Sequence, residues 1–147
     1  MRIVVIAVGK VKERGLRDAI DDYEGRIRRY AKLDEVELAD GKESEVAAKM
    51  VRAIPERARV VALEVGGDRM TSEKFAGWVG RCESGAVANV VFVIGGSYGL
   101  PRSVSDAADL RLSLSDMIFP HRLARLFLVE QIYRAFTILR NEPYSHG

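Results

Sequence analysis

Apolar residues run unbroken from Ile3 to Val8, and beyond them Leu16, Ile20, Tyr23, Ile27 and Tyr30 recur at three- and four-residue spacing. The first stretch predicts a strand buried on both faces, the second a helix over about 15–31. Val36 and Leu38 predict a short second strand and Asp40-Gly41 a turn. Ser44 then caps a helix carrying Val46, Met50, Val51 and Ile54, which Pro55 closes. A third strand is expected over 59–65, ending at Gly66-Gly67, then a helix over about 72–83 built on Phe75, Trp78 and Val79. Residues 90–94, Val-Val-Phe-Val-Ile, predict a fourth strand that breaks into glycines at 95, 96 and 99, and Pro101 begins a short helix. Leucines at 110, 112 and 114 alternate as in a fifth strand, and a long helix over about 122–140 stops before Pro143. Strands alternating with helices in this way define an α/β fold, a mostly parallel sheet with helices on both faces. No repeat or linker divides the 147 residues, so one domain over 1–147 is expected.

Composition narrows the function more than the fold. The longest apolar run is far short of the roughly 20 residues of a membrane span, so no membrane partner is expected. The lone cysteine, Cys82, cannot form an internal disulfide, and no Cys or His lies at metal-ligand spacing, so a reducing cytoplasm and no metal are expected. A net charge of +2 gives no bulk attraction for nucleic acid, and an RNA partner would have to meet a local patch. The basic stretch at 25–32, GRIRRYAK, is either such a patch or a solvated helix face; Trp78 and Cys82, four apart, read as packing.

The glycine loop carries the candidate chemistry. Its glycines lack the G-x-G-x-x-G spacing of a dinucleotide site, and no Gly-Lys-Ser/Thr follows. Two readings remain: a plain turn between a buried strand and a packed helix, or a ligand site at the carboxyl end of a strand, where open α/β sheets hold ligands. Asp116, about 20 residues on, falls where a dinucleotide site would hold a ribose, which favours a nucleoside.

The segments VIGGSYGL (93–100), LSLSDMIFPHRLARLFLVEQIYRA (112–135) and NEPY (141–144) occur in that order, with Ala7-Val8-Gly9-Lys10 near the start. Together they resemble, over essentially the whole chain, the ribosomal RNA large subunit methyltransferase H family of the SPOUT superfamily. The resemblance implies a homodimeric, cytoplasmic, S-adenosylmethionine-dependent enzyme that methylates N3 of a pseudouridine in 23S ribosomal RNA of the assembled 70S ribosome. It also implies a deep trefoil knot at the carboxyl-terminal end. The general avoidance of knots would instead favour an ordinary doubly wound sheet.

Matched position by position, the resemblance assigns cofactor contacts to Leu63, Gly95, Leu114, Ser115, Asp116, Met117, Ile118 and Phe119. The chemistry agrees, because adenine is flat and largely apolar, five of these side chains are apolar, and exposed backbone groups can read its edge. In this reading the glycines let backbone approach the cofactor. Methyl transfer from a sulfonium needs alignment and loss of the imide proton, and the candidates for this are His121, Arg134 and Tyr144. His121 also fits a helix-start residue bonded to backbone, and Arg134 an intrahelical pair with Glu130. Family members end in Asn-His-Pro-Tyr-His, whereas this chain reads Asn141-Glu142-Pro143-Tyr144-Ser145-His146. Tyr144 matches and both histidines are missing, which leaves His146 either as a substitute one place later or as a frayed terminus. The tail is expected to cover the cofactor of the other subunit. Two further readings stand beside this one: a SPOUT methyltransferase of another RNA, and a nucleotide-binding, ribosome-associated module without catalysis.

Overall fold

A computed structural model describes residues 1–146, without the side chains of Ser145 and His146, so the expectation placed on His146 lies outside the described residues. Five strands, β1 (Arg2–Val8), β2 (Lys32–Leu38), β3 (Ala58–Arg69), β4 (Asn89–Ile94) and β5 (Leu110–Ser113), form one sheet in the order β2-β1-β4-β3-β5. Every pairing is parallel. Five helices, α1 (Arg14–Ile27), α2 (Glu43–Ala53), α3 (Ser72–Ser84), α4 (Arg102–Ala107) and α5 (His121–Leu139), connect and cover it, and a 3-10 turn at Pro143–His146 follows.

Alternate side chains of the strands enter two cores. Ile3, Val5, Val90, Phe92, Ile94, Leu110 and Leu112 pack with residues of α1, α3 and α5 on one face. Val4, Ile6, Val8, Val91 and Val93 pack with Val46 and Met50 of α2 and Val104 of α4 on the other. Each fully buried aliphatic or aromatic side chain contributes roughly 1.5–3 kcal/mol, which makes the unbroken apolar runs of β1 and β4 the centre of the fold. Because α3 follows β3 on one face and α4 follows β4 on the other, the chain leaves these two neighbouring strand ends in opposite directions. A crevice opens there.

Two elements differ from their sequence patterns for identifiable reasons. β2 is seven residues long, pairing with β1 from Arg2 opposite Lys32 to Val8 opposite Leu38. Its inner face reads Leu33, Glu35, Glu37, and the acids hid it; they are accommodated because Arg17 and Arg125 pair with them. β3 continues past Gly66-Gly67. It leaves the ladder after Leu63 and rejoins it with Asp68 opposite Leu112 and Arg69 opposite Ser113. Gly67 permits the return, since a Cβ there would lie 2.7 Å from the Arg111 carbonyl carbon. Within the basic stretch at 25–32, Arg26 pairs with Asp22 and lies over the Tyr23 and Tyr133 rings, and Arg28 donates to the Leu33 carbonyl. Cys82 is buried in the core and Trp78 packs against it. Burial pushes the Cys82 thiol above its ordinary pKa, consistent with packing rather than reactivity.

Candidate cofactor cleft and carboxyl-terminal cluster

At the carboxyl ends of β3, β4 and β5 lies a cleft of about 750 Å³. Three chain segments wall it: Leu63 to Val65 from β3, the loop after β4, and the irregular stretch from Leu114 into the first turn of α5. Of the eight residues assigned to the cofactor, Leu63, Gly95, Leu114, Ser115, Met117, Ile118 and Phe119 line it. Asp116 does not line it; its carboxylate lies 2.8 Å from the Arg69 guanidinium on the surface. The Ser115 hydroxyl accepts from the Met117 amide at 3.0 Å, and the Ser115 carbonyl accepts from the Ser113 hydroxyl at 2.9 Å. Ser115 therefore shapes this segment through its own side chain.

The glycine loop is tight for reasons of its own. The Gly99 amide donates to the Gly96 carbonyl at 3.0 Å, closing a turn through Ser97 and Tyr98, with Gly99 at φ +82°. A Cβ on Gly95 would stand 2.3 Å from the Gly99 carbonyl carbon, and one on Gly96 would stand 3.0 Å from Val8 Cγ1. Glycine at 95 is thus required by its own loop, while the residue also lines the cleft. The turn carries Tyr98 almost fully exposed. Val65, Met117 and Ile118, also exposed, line the cleft.

His121 opens α5 and lines the cleft together with Arg122, whose guanidinium lies 2.6 Å from Glu13. Glu64 also lines the cleft. Sequence reading missed it because one acid at a strand end carries no signal until neighbouring elements surround it. Among the described residues it is the only acidic side chain in the wall, and its Oε1 accepts from the Ser105 hydroxyl at 2.7 Å.

Beneath the first turns of α5 lies a buried ionic cluster. Arg125, 1% exposed, reaches Glu37 at 2.5 Å and Glu35 at 3.2 Å, and donates to the Gly9 carbonyl at 3.1 Å. Arg17 reaches Glu35 at 2.7 Å and lies 3.7 Å from buried Glu24. Burial first, and the Glu35 charge next, raise Glu24 to about 7.

Tyr144 and Arg134 do not line the cleft of their own chain. Arg134 makes the intrahelical pair with Glu130, at 2.9 Å, and Tyr144 packs onto α1 and α5. Of the three catalytic candidates, the structure therefore brings only His121 to the cleft.

A parallel sheet clad on both faces, with a cleft at its strand ends and an irregular segment entering the final helix, defines an open α/β protein of the class that holds ligands at its strand ends. Two solved structures share the fold. One is a probable methylase family protein from Haemophilus influenzae Rd KW20, with TM-score 0.54 and 11% identity over 95% of this chain and 67% of that one. The other is the SpoU methyltransferase AviRb from Streptomyces viridochromogenes, with TM-score 0.53 and 12% identity over 95% and 61%. A family model described as predicted SPOUT methyltransferase matches residues 1–146. The proteins named ribosomal RNA large subunit methyltransferase H from Sorangium cellulosum and Geobacter sulfurreducens are 55% and 43% identical; each alignment spans 99% of this chain and all of the relative. This chain belongs to the SPOUT methyltransferase family, among the ribosomal RNA large subunit methyltransferase H proteins. The α/β expectation stands, and a knotted carboxyl-terminal segment is what membership of the SPOUT family implies.

Proposed function

We propose that this protein is a cytoplasmic, homodimeric methyltransferase that uses S-adenosylmethionine to methylate N3 of a pseudouridine in 23S ribosomal RNA of the 70S ribosome. The observation that carries the reading is the convergence of Leu63, Gly95 and the 114–119 segment, far apart in sequence, on one cleft. The donor set fits the cofactor. Leu63, Leu114, Met117, Ile118 and Phe119 offer an apolar slot for adenine, and loop backbone lies open to its edge. Glu64 places a carboxylate opposite a ligand that carries positive charge, with its Oε1 fixed by Ser105. The printed names of the relatives supply the substrate class, large-subunit ribosomal RNA.

The bound cofactor supplies an electrophilic methyl group. The chain's own residues then exclude water, through Val65, Met117 and Ile118 of the cleft wall, and fix the line of attack. His121 Nδ1 and Nε2 are the ring nitrogens available at the cleft wall to take the imide proton, and Arg122 adds positive charge beside them. No helix among the described residues is long and apolar enough to cross a membrane, and no cluster of His, Cys, Asp or Glu among them would hold a metal.

Mass spectrometry of ribosomal RNA from a deletion strain tests the reading. A pseudouridine that loses one methyl group in the deletion strain and regains it on complementation supports it. Loss of a methyl group from another RNA supports the broader methyltransferase reading. No change in any RNA, with calorimetric S-adenosylmethionine binding intact, would indicate a non-catalytic module, the reading favoured by the missing tail histidines.

A further inference from the structure

We propose that Glu130 is the positioning residue of the carboxyl-terminal tail, and that it acts through Tyr144, whose hydroxyl is an internal anchor rather than a group that handles substrate. This rests on the methyltransferase reading above for its consequence in catalysis, but not for its geometry.

The tail is turned back by the end of α5. Asn141 takes φ +54°, its amide donates to the Ile138 carbonyl at 3.1 Å, and the Glu142 amide donates to the Thr137 carbonyl at 2.8 Å. This is a Schellman termination with asparagine at the left-handed position, and it sends the following residues back along the helix. Tyr30 then donates to the Glu142 carboxylate at 2.7 Å, fixing the turn against the segment between α1 and β2.

Tyr144 lands on a prepared site. Its hydroxyl donates to Glu130 Oε2 at 2.6 Å, and the same oxygen accepts from Arg134 Nη2 at 2.9 Å and Nε at 3.1 Å. The other carboxylate oxygen accepts from Gln131 at 2.8 Å. The Tyr144 ring stands edge-on to Tyr133, with centroids 4.6 Å apart, and the Arg134 guanidinium lies over it at 4.9 Å. The proton count decides the role. Tyr144 has one hydroxyl proton, and it goes to a carboxylate, so the Tyr23 hydroxyl 3.2 Å away must be the donor toward Tyr144. Donation and acceptance by the phenol are then both satisfied inside the chain. Burial, and next the bond to Glu130, also push the Tyr144 hydroxyl well above its ordinary pKa, so it is held as the neutral phenol. Tyr144 is thereby built as an anchor, and Glu130 collects the donors that hold it.

The experiment compares Glu130→Ala, Glu130→Gln, Tyr144→Phe and the double variant E130A/Y144F with the wild-type dimer. It measures kcat and KM for methyl transfer to 70S ribosomes, S-adenosylmethionine affinity by calorimetry, and hydrogen exchange of residues 140–144. Expected are kcat losses of about tenfold in E130A and in Y144F, with cofactor affinity within about twofold, because each removes the same charge-assisted hydrogen bond. The double variant is expected to be no worse than the weaker single, as for two groups of one contact. E130Q should recover most of the activity, since its amide oxygen still accepts the phenol proton. Exchange at 140–144 should rise in E130A and Y144F. A thousandfold loss in Y144F beside near-normal E130A would show that the hydroxyl acts on substrate and would overturn the proposal, as would additive losses or unchanged exchange in E130A. If wild-type protein binds cofactor but methylates no ribosome, the functional reading fails, and hydrogen exchange alone still decides the anchor.

Discussion

Gly95 shows how much a single missing side chain can carry. The sequence leaves its glycine either in a plain turn or at a ligand; in the fold a Cβ there would stand within 2.5 Å of Gly99 and Leu100 backbone. Gly95→Ala is therefore expected to cost about 1–3 kcal/mol of stability, read as a lowered Tm, together with at least tenfold weaker S-adenosylmethionine binding, because the loop must open to admit the methyl group. Gly66→Ala is the control, since nothing lies within 4 Å of its Cβ position, and it should leave both measurements unchanged. Glu24 gives a second residue-scale expectation. Its folded-state pKa is raised to about 7 from the ordinary carboxylate value, so between the two the folded chain binds more protons than the unfolded chain. Stability contributed by this group is complete below about pH 4.5 and is lost as pH rises through about 7, at about 1.4 kcal/mol per pKa unit before solvent relaxation is allowed for. Urea midpoints of wild type and Glu24→Gln at pH 5 and pH 8 check this. The wild type should weaken over that interval and the variant should not, and a parallel decline in both would remove Glu24 as the cause.

Among the elements, α5 differs most from what its sequence suggests. Leu123, Phe127, Tyr133, Phe136 and Ile138 spread around the helix, a pattern that predicts an apolar face left over for a second subunit. In the fold α5 lies between α1 and α3, and Tyr133 and Phe136 are buried within the chain, with Ile138 packed against the same core; Phe127 remains exposed. Arg125, buried on the same helix, ties it to β2 and to the Gly9 carbonyl, which fixes the first turn and with it His121 at the cleft. The far end of α5 holds the tail instead. Deletion of residues 143–147 should accordingly leave calorimetric S-adenosylmethionine affinity within about twofold while methyl transfer falls at least tenfold, since the cleft is complete before residue 125 and the tail serves alignment. Equal loss of binding and turnover would place part of the cofactor site in the tail.

At the scale of the whole molecule, exposed apolar side chains lie at the cleft and on the first half of α5. Val65, Met117 and Ile118 are exposed at the cleft, and Phe127 is exposed on α5, edge-on to cleft residue Phe119 at 5.2 Å. Large apolar side chains exposed on this scale favour a surface covered by a second copy of the chain. Sedimentation at micromolar concentration should therefore give a dimer, and Phe127→Asp should shift it toward monomer while leaving far-ultraviolet circular dichroism unchanged. A wild-type monomer at that concentration would contradict the homodimer and, with it, any completion of the cleft by a partner's tail.

Periodicity by itself determined the five strands, their order along the chain and the two-layered helical cover, because burial on both sheet faces forces unbroken apolar runs in β1 and β4 and amphipathic spacing in the helices. The family resemblance carried by the 93–100 and 112–119 segments likewise marked most of the cleft. Only the tertiary structure decided the rest. β2 was half hidden because charges enter its inner face, and their partners Arg17 and Arg125 are remote in sequence. Glu64 lines the cleft, Asp116 pairs with Arg69, and the Tyr144 hydroxyl meets Glu130. The physical reason is the same in each case: burial leaves its period in the local sequence, whereas the partner of a polar group is set by which distant elements the fold brings within hydrogen-bonding distance.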